Sequence, residues 1–328
     1  MITPAFNLTA TERVLPRLAI DFTTAVLDSR VVISRANNTA TRISSNGTIE
    51  IVNANLPRFD YNPTTLLCNG LLIEGARTNL LLNALIDGTS LSTQTVTVTA
   101  AAHTLSFYGS GSIVLSGTYS ATVSGSGAYP TRKTLTFTPT AGSLTLTVSG
   151  SVQFAQLEVG GFASSFIPTA GSAVQRNNDI ATMSGTSFSS WYNQSNGSFY
   201  AKILKQNRVA AGAVFGALQS GSAYMDLQIN PSSDNFIMTN GTYTANAAFA
   251  DTSTGVIGLA ASYTDRRAGL SVSGGAVAAQ STASASVPSP ASLRIGNGIG
   301  AGLLYGHMQK LMYWPQTLTD AEIRAFSK

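Results

Sequence analysis

Catalysis needs groups that converge: a nucleophile beside its base, or two carboxylates set across one bond. This chain of 328 residues offers few candidates. Its two histidines, His103 and His307, have no cysteine or carboxylate nearby at metal-ligand spacing. Both read as ordinary strand residues, with no catalytic or metal role. The acids of the C-terminal half, Asp226, Asp234, Asp251 and Asp265, fall on different expected strands and loops. No Gly-x-Ser-x-Gly elbow occurs. The stretch Gly296-Asn297-Gly298-Ile299-Gly300 follows an expected strand, but neither a helix pattern nor a suitably placed lysine comes after it. It reads as a turn, not a phosphate cradle. The one cysteine, Cys68, has no intrachain partner and reads as a small buried residue. No catalytic residue, metal site or cofactor is expected.

Sugar binding is the chemistry the side chains do suit. Aromatic faces stack on pyranose rings while amides and carboxylates read the hydroxyls. Candidate aromatics are Trp191, Tyr192, Tyr224, Tyr243, Tyr263, Tyr305 and Trp314. Tyr224, Tyr243 and Tyr305 stand beside Gly, Ser or Asn at expected turns, so they are the carbohydrate-binding candidates. Trp314 ends an alternating strand and reads as core.

Composition bounds the partners. The net charge of +4 comes from 19 basic against 15 acidic residues. The basic residues are scattered, the densest spots being Arg132-Lys133, Lys202 to Arg208, and Arg266-Arg267. None interleaves with aromatics as a nucleic-acid platform does, so no nucleic-acid partner is expected. No positively charged stretch followed by an apolar run opens the chain, so no signal peptide is expected. No apolar run approaches the roughly 20 residues of a membrane-spanning helix, so no membrane insertion is expected.

The elements that must position these residues are strands. Charged residues make up only 10%, against about 25% in ordinary domains, and Ser, Thr, Gly, Ala and Asn take their place. Abundant Thr and Val suit the pleated surface of a sheet. Three segments differ in texture: 1–84, 85–176 and 177–328. In the second, residues 94–99, 133–138 and 143–148 alternate polar and apolar, so one face is buried and the other wet. Glycine-rich turns between them suggest a sandwich or jelly roll. In the third, strands are expected at 198–203, 214–219, 223–229, 235–239, 256–263, 268–273, 292–296 and 307–314. Asn240-Gly241 marks a hairpin. The stretch 276–290, rich in Ala and Ser, reads as a loop or an edge. Thr319, with Glu322 three residues later, forms a capping box that opens a short C-terminal helix. The fold class is therefore all-β and modular.

Three motifs carry a resemblance. Leu56-Pro57-Arg58-Phe59-Asp60-Tyr61-Asn62-Pro63, then Gly70-Leu71-Leu72-Ile73-Glu74-Gly75-Ala76-Arg77-Thr78-Asn79-Leu80-Leu81, resembles the N-terminal module of tailed-bacteriophage fibre and virion structural proteins. Asp21-Phe22-Thr23-Thr24 and Ser34-Arg35-Ala36 fit the same module. Ala155-Gln156-Leu157-Glu158-Val159-Gly160 with Ser165-Phe166-Ile167-Pro168-Thr169 resembles the closing strand and exit of a carbohydrate-binding-module-like jelly roll. His307-Met308-Gln309-Lys310-Leu311-Met312-Tyr313-Trp314, running into Leu318 to Ile323, resembles the last strand and helix of laminin-G-like, concanavalin A-like domains. The chain departs from that last family at Lys310 and Pro315, and it lacks the Glu-x-Asp-x-x-Glu strand of that fold's glycosidases.

The resemblance implies a virion-attachment module at 1–84, a jelly roll at 85–176 and a concanavalin A-like sandwich at 177–328. It implies a fibre or spike protein, made in the host cytoplasm and located in the virion. Its partners would be other virion proteins, bound through the N-terminal module, and host surface polysaccharide. Such fibres are symmetric oligomers, and a trimer is expected. Two other readings stay open: a capsid- or tail-decorating protein that binds no ligand, and a depolymerase of capsule or lipopolysaccharide.

Overall fold

Side chains that alternate between two environments need a sheet with two faces, and the chain is built from such strands. The computed structural model describes residues 15–37, 39–282 and 286–328. The first stretch forms β1 (Leu18–Asp21), a 3-10 turn (Phe22–Thr24), β2 (Val32–Ser34), β3 (Ala40–Ile43), β4 (Ile49–Val52), β5 (Phe59–Tyr61), β6 (Cys68–Ile73) and β7 (Arg77–Asn79). There follow β8 (Gln94–Val98), β9 (His103–Tyr108), β10 (Ser112–Gly117), β11 (Ala121–Ser124), β12 (Lys133–Phe137), β13 (Gly142–Ser149) and β14 (Gln153–Val159). Next come β15 (Val174–Arg176), β16 (Ile180–Ser184), the single turn α1 (Thr186–Ser189), β17 (Gly197–Lys205), β18 (Gly212–Leu218), β19 (Ala223–Ile229), β20 (Ser233–Asn240) and β21 (Thr244–Ala250). The chain closes with β22 (Gly255–Thr264), β23 (Arg267–Val272), β24 (Ala278–Ser281), β25 (Ser292–Ile295), β26 (Gly306–Trp314) and α2 (Asp320–Phe326).

The larger sandwich sets a seven-stranded sheet, β2-β16-β25-β18-β19-β20-β21, against an eight-stranded one, β24-β23-β22-β17-β26-β6-β5, with β1 also paired to β26. Alternation decides what each face does. In β19, Met225, Leu227 and Ile229 enter the core. Tyr224, Asp226 and Gln228 point the other way. Phe199, Phe215, Phe236, Leu259, Leu311 and Tyr313 fill the space between the sheets, and each is buried. Burial of one such side chain stabilises by about 1.5–3 kcal/mol. The smaller sandwich pairs β11-β10-β13-β8 with β12-β9-β14. Leu105, Phe107, Ile113, Leu144, Leu146 and Leu157 make its core.

The early chain joins both sheets of the larger sandwich. Leu18 pairs with Tyr313, Ile73 with Gly306, and Ser34 with Ile180. Lys310, a departure from the concanavalin A-like pattern, meets Asp21 across the first of these pairings at 3.0 Å. Leu81 and Ala84 lie in the core of the smaller sandwich. Backbone pairing and packing thus cross the changes of texture near 84 and 176.

Local signals hold where they were strongest. Asn240 Oδ1 accepts the amides of Thr242 and Tyr243, and Gly241 takes a positive φ of 94°, closing the β20–β21 hairpin. Thr319 caps α2 through the amide of Glu322, whose carboxylate accepts the Thr319 amide in return. That helix covers Trp314, with Phe326 4.6 Å away, on the outer face of the eight-stranded sheet. The stretch 276–290 holds the edge strand β24, and its residues 283–285 lie outside the described residues.

Candidate functional site

Arg35, Arg58 and Glu74 of the motifs gather with Arg176 and Asp179 into one buried node. Arg35, Arg58 and Arg176 have fully buried side chains. Asp179 accepts from Arg35 at 2.9 Å and from both Nε and Nη2 of Arg58. Glu74 takes Arg58 and Arg176, each at 2.9 Å, and the amide and hydroxyl of Ser165. Burial pushes the Glu74 carboxyl up, but Arg176, Arg58 and Ser165 outweigh it and hold it well below the usual carboxylate range. Burial likewise opposes the charge of Arg58, while Asp179 and Glu74 raise its pKa further than burial lowers it. Glu158 binds Ser164 and Gln156 beside this node, and Asn79 clasps the backbone of Ala155, Leu157 and Ile167. The node ties the smaller sandwich to the larger one.

Above the node lies a cleft of about 310 Å³. That is the lower end of the range for small-ligand pockets. The β3–β4 hairpin, the 162–166 exit of the smaller sandwich and the 305–307 entry to β26 supply its walls. Phe162 and Tyr305 meet edge to face at 5.1 Å, and the Arg77 guanidinium lies 4.8 Å from the Phe162 ring. Gly75 makes room for the Tyr305 ring: any side chain there would collide with the Tyr305 hydroxyl. His307 Nε2 sits 2.9 Å from Asp60 Oδ2, while Asp60 Oδ1 accepts the Ile43 amide at 2.6 Å. The carboxylate fixes the proton on Nε2, leaving Nδ1 buried without a partner. Arg132 donates to the Ser164 carbonyl and to Ser106 Oγ, each at 2.7 Å, and its Nε has no partner. Tyr108 lies under that guanidinium at 5.8 Å and 5.2 Å from Tyr129. Burial, with Tyr108 and Asp60, pushes the Tyr129 hydroxyl up to about 12.

The three candidate tyrosines stand apart. Tyr305 lines the cleft. Tyr224 lies on the outer face of the seven-stranded sheet beside Asp226, where the glycine-rich turn packs and the Gly300 amide reaches Asp226 at 2.8 Å. Tyr243 is 48% exposed at the tip of the β20–β21 hairpin. Of the other aromatics, Trp191, Tyr263 and Trp314 are buried. Sequence reasoning missed Phe162, Arg132 and the Asp60–His307 pair. The last two partners are 247 residues apart, so no local spacing announces them.

Among the described residues no three His, Cys, Asp or Glu side chains converge as a metal site requires. His103 is packed in the smaller sandwich, its Nδ1 2.7 Å from the Ala101 carbonyl oxygen. A close pair of carboxylates forms at Arg208. Asp234 and Asp251 both accept from Nη2 of Arg208, at 3.1 and 2.5 Å. Burial pushes Asp234 up to about 6. Yet Arg208 fills the gap that a glycosidase pair leaves for its substrate, and Asp234 is fully buried. The arrangement is a clamp between loops. Among the described residues no helix is long and apolar enough to cross a membrane.

No protein-family model matches the chain, and no curated protein matches it. Several solved structures are weakly similar to part of the chain. The Ruminococcus gnavus IT-sialidase CBM40 bound to alpha2,3 sialyllactose is 12% identical with a TM-score of 0.36, over 41% of this chain and 83% of that one. The K499G mutant of NanB sialidase from Streptococcus pneumoniae is 10% identical with a TM-score of 0.37, over 45% and 26%. The binding domain of botulinum neurotoxin DC in complex with rat synaptotagmin II is 8% identical with a TM-score of 0.36, over 45% and 39%.

Proposed function

We propose that this chain is a glycan-binding structural protein of a tailed-bacteriophage particle, and that the cleft between its two sandwiches is the binding site. The carrying observation is the cleft itself: an aromatic pair, Phe162 and Tyr305, lines the same recess as the polar side chains of Arg132 and His307. Aromatic faces with a few fixed polar groups are what a pyranose needs. Particle attachment rests on the motif resemblance at 21–24, 34–36 and 56–81. It is supported by an apolar groove lined by Ala25, Leu27, Pro57 and Phe59. Val26, Ile51 and Leu56 lie along it, each 46% or more exposed. Weak binding at one cleft would be multiplied in an oligomeric fibre.

The purely structural reading draws on a different observation. The motif residues Arg58, Glu74, Asn79, Gln156 and Glu158 are consumed in the buried node, which makes them framework. A glycan array probed with wild-type protein and with Tyr305→Ala and Phe162→Ala separates the two. The adhesive reading expects glycan signal that both substitutions weaken about tenfold. Loss of one stacked ring removes about 1–1.5 kcal/mol, the energy of such a ratio. An empty array would leave only the structural role.

A further inference from the structure

We infer that the cleft takes a carboxylate-bearing sugar and that Arg132 reads its acid group, an inference that rests on the cleft being a glycan site. The cleft's other charges are already spent. Arg42 is held by Glu50 at 2.6 Å. Asp60 is held by His307 and the Ile43 amide. Glu74 is held by Arg58, Arg176 and Ser165. Among the described residues, Arg132 is the one basic side chain lining the cleft that is bound to no carboxylate. Its two hydrogen bonds go to neutral oxygens, the Ser164 carbonyl and Ser106 Oγ. A guanidinium carries five N–H donors; two are used and the Nε–H is buried, so one on each terminal nitrogen stays unused.

The node beneath does not supply the missing anion. There Arg35, Arg58 and Arg176 are paired with Glu74 and Asp179, and the neighbouring Glu158 lies 3.8 Å from Arg77, so none of these carboxylates is ion-paired with Arg132. Tyr108 beneath the Arg132 guanidinium, together with its two anchoring bonds, holds the planar fork in place. A fixed guanidinium in a half-dry recess suits a planar carboxylate, and the resulting charge-assisted bond is about twice as strong as a neutral one. The Phe162–Tyr305 pair lines the same cleft and supplies an apolar wall for the ring that carries the acid. The ligand class is therefore an acidic pyranoside, such as a hexuronic or nonulosonic acid unit of a surface polysaccharide.

The test uses the full chain and oligosaccharides containing hexuronic or nonulosonic acids, each presented beside its carboxyl-reduced form. Wild type should prefer the acid form by about tenfold or more, the ratio expected of one hydrogen bond to a charged group. Arg132→Met should abolish the preference, Arg132→Lys should keep part of it, and Val256→Ala, at an exposed position away from the cleft, should leave it intact. Circular dichroism establishes that each variant is folded. Equal binding of acid and reduced forms, with sensitivity to Phe162→Ala, overturns the inference and keeps the glycan reading. No binding of any glycan overturns both. A preference for the acid that survives Arg132→Met at high salt assigns the reading to another group and overturns the role of Arg132.

Discussion

Glu74 is a largely buried carboxylate with three partners that depend on it: Arg58, Arg176 and Ser165. Replacing it by Gln leaves two buried guanidinium groups short of charge. Breaking a buried pair from one side costs about 3–5 kcal/mol. Glu74→Gln is therefore expected to lower the urea-unfolding midpoint at neutral pH by a large fraction of the total stability. The pH dependence follows from the same geometry. The folded-state pKa lies below the unfolded one, so the stabilisation is complete above the unfolded value of about 4.3. It drains as pH falls below that value towards the folded one. Urea titrations from pH 7 to pH 3 should show a steep loss in wild type and a shallower one in Glu74→Gln. Equal slopes would mean that other groups carry the acid sensitivity. Arg35, Arg58, Glu74 and Ser165 of this node stand in the motifs, whereas Arg176 and Asp179 stand outside them. Their role was not legible in the sequence, because Arg35 meets Asp179 across 144 positions and Arg58 meets it across 121. His307 read as an ordinary strand residue for the same reason.

Elements were read best where the physics is local. β8, β12 and β13 alternate Thr with Val, Leu or Phe, and one buried face is enough to make such a run a strand. The capping box at Thr319 and the turn at Asn240-Gly241 are complete within a few residues. β21 escaped notice because its inward positions are Ala245 and Ala247, whose small side chains give a faint alternation. β7 and β15 are three residues each and exist only through each other. The cap is also the handle for a test. Thr319→Ala should cost about 1 kcal/mol. Because α2 lies over Trp314, fraying of its first turn should shift tryptophan emission to longer wavelength before global unfolding. An unshifted emission and an unchanged midpoint would show that packing by Ile323 and Phe326 holds the helix without its cap.

At the scale of the molecule, texture and connectivity part company. Alternation and turn spacing made the two sandwiches legible, but no local pattern reveals which strand lies beside which. β1, β2, β5 and β6 extend the sheets of the larger sandwich, and β26 has β17 on one side and both β1 and β6 on the other. Residues 177–328 expressed alone would expose that edge of β26 together with Leu18, Phe22 and Phe59's share of the core. The fragment should bind a hydrophobic dye and lack a sharp thermal transition, whereas the whole chain should melt cooperatively. A fragment with native-like near-ultraviolet dichroism and a sharp transition would show that the early strands are only trim. The pairing of β6 with β26 also sets a timetable. A ribosome adds about 5–20 residues per second. Since Ile73 meets Gly306, the first strand waits roughly ten seconds to most of a minute for the second to be made. During that wait Leu71, Leu72 and Ile73 belong to an apolar edge with no neighbour, a natural client for a holding chaperone.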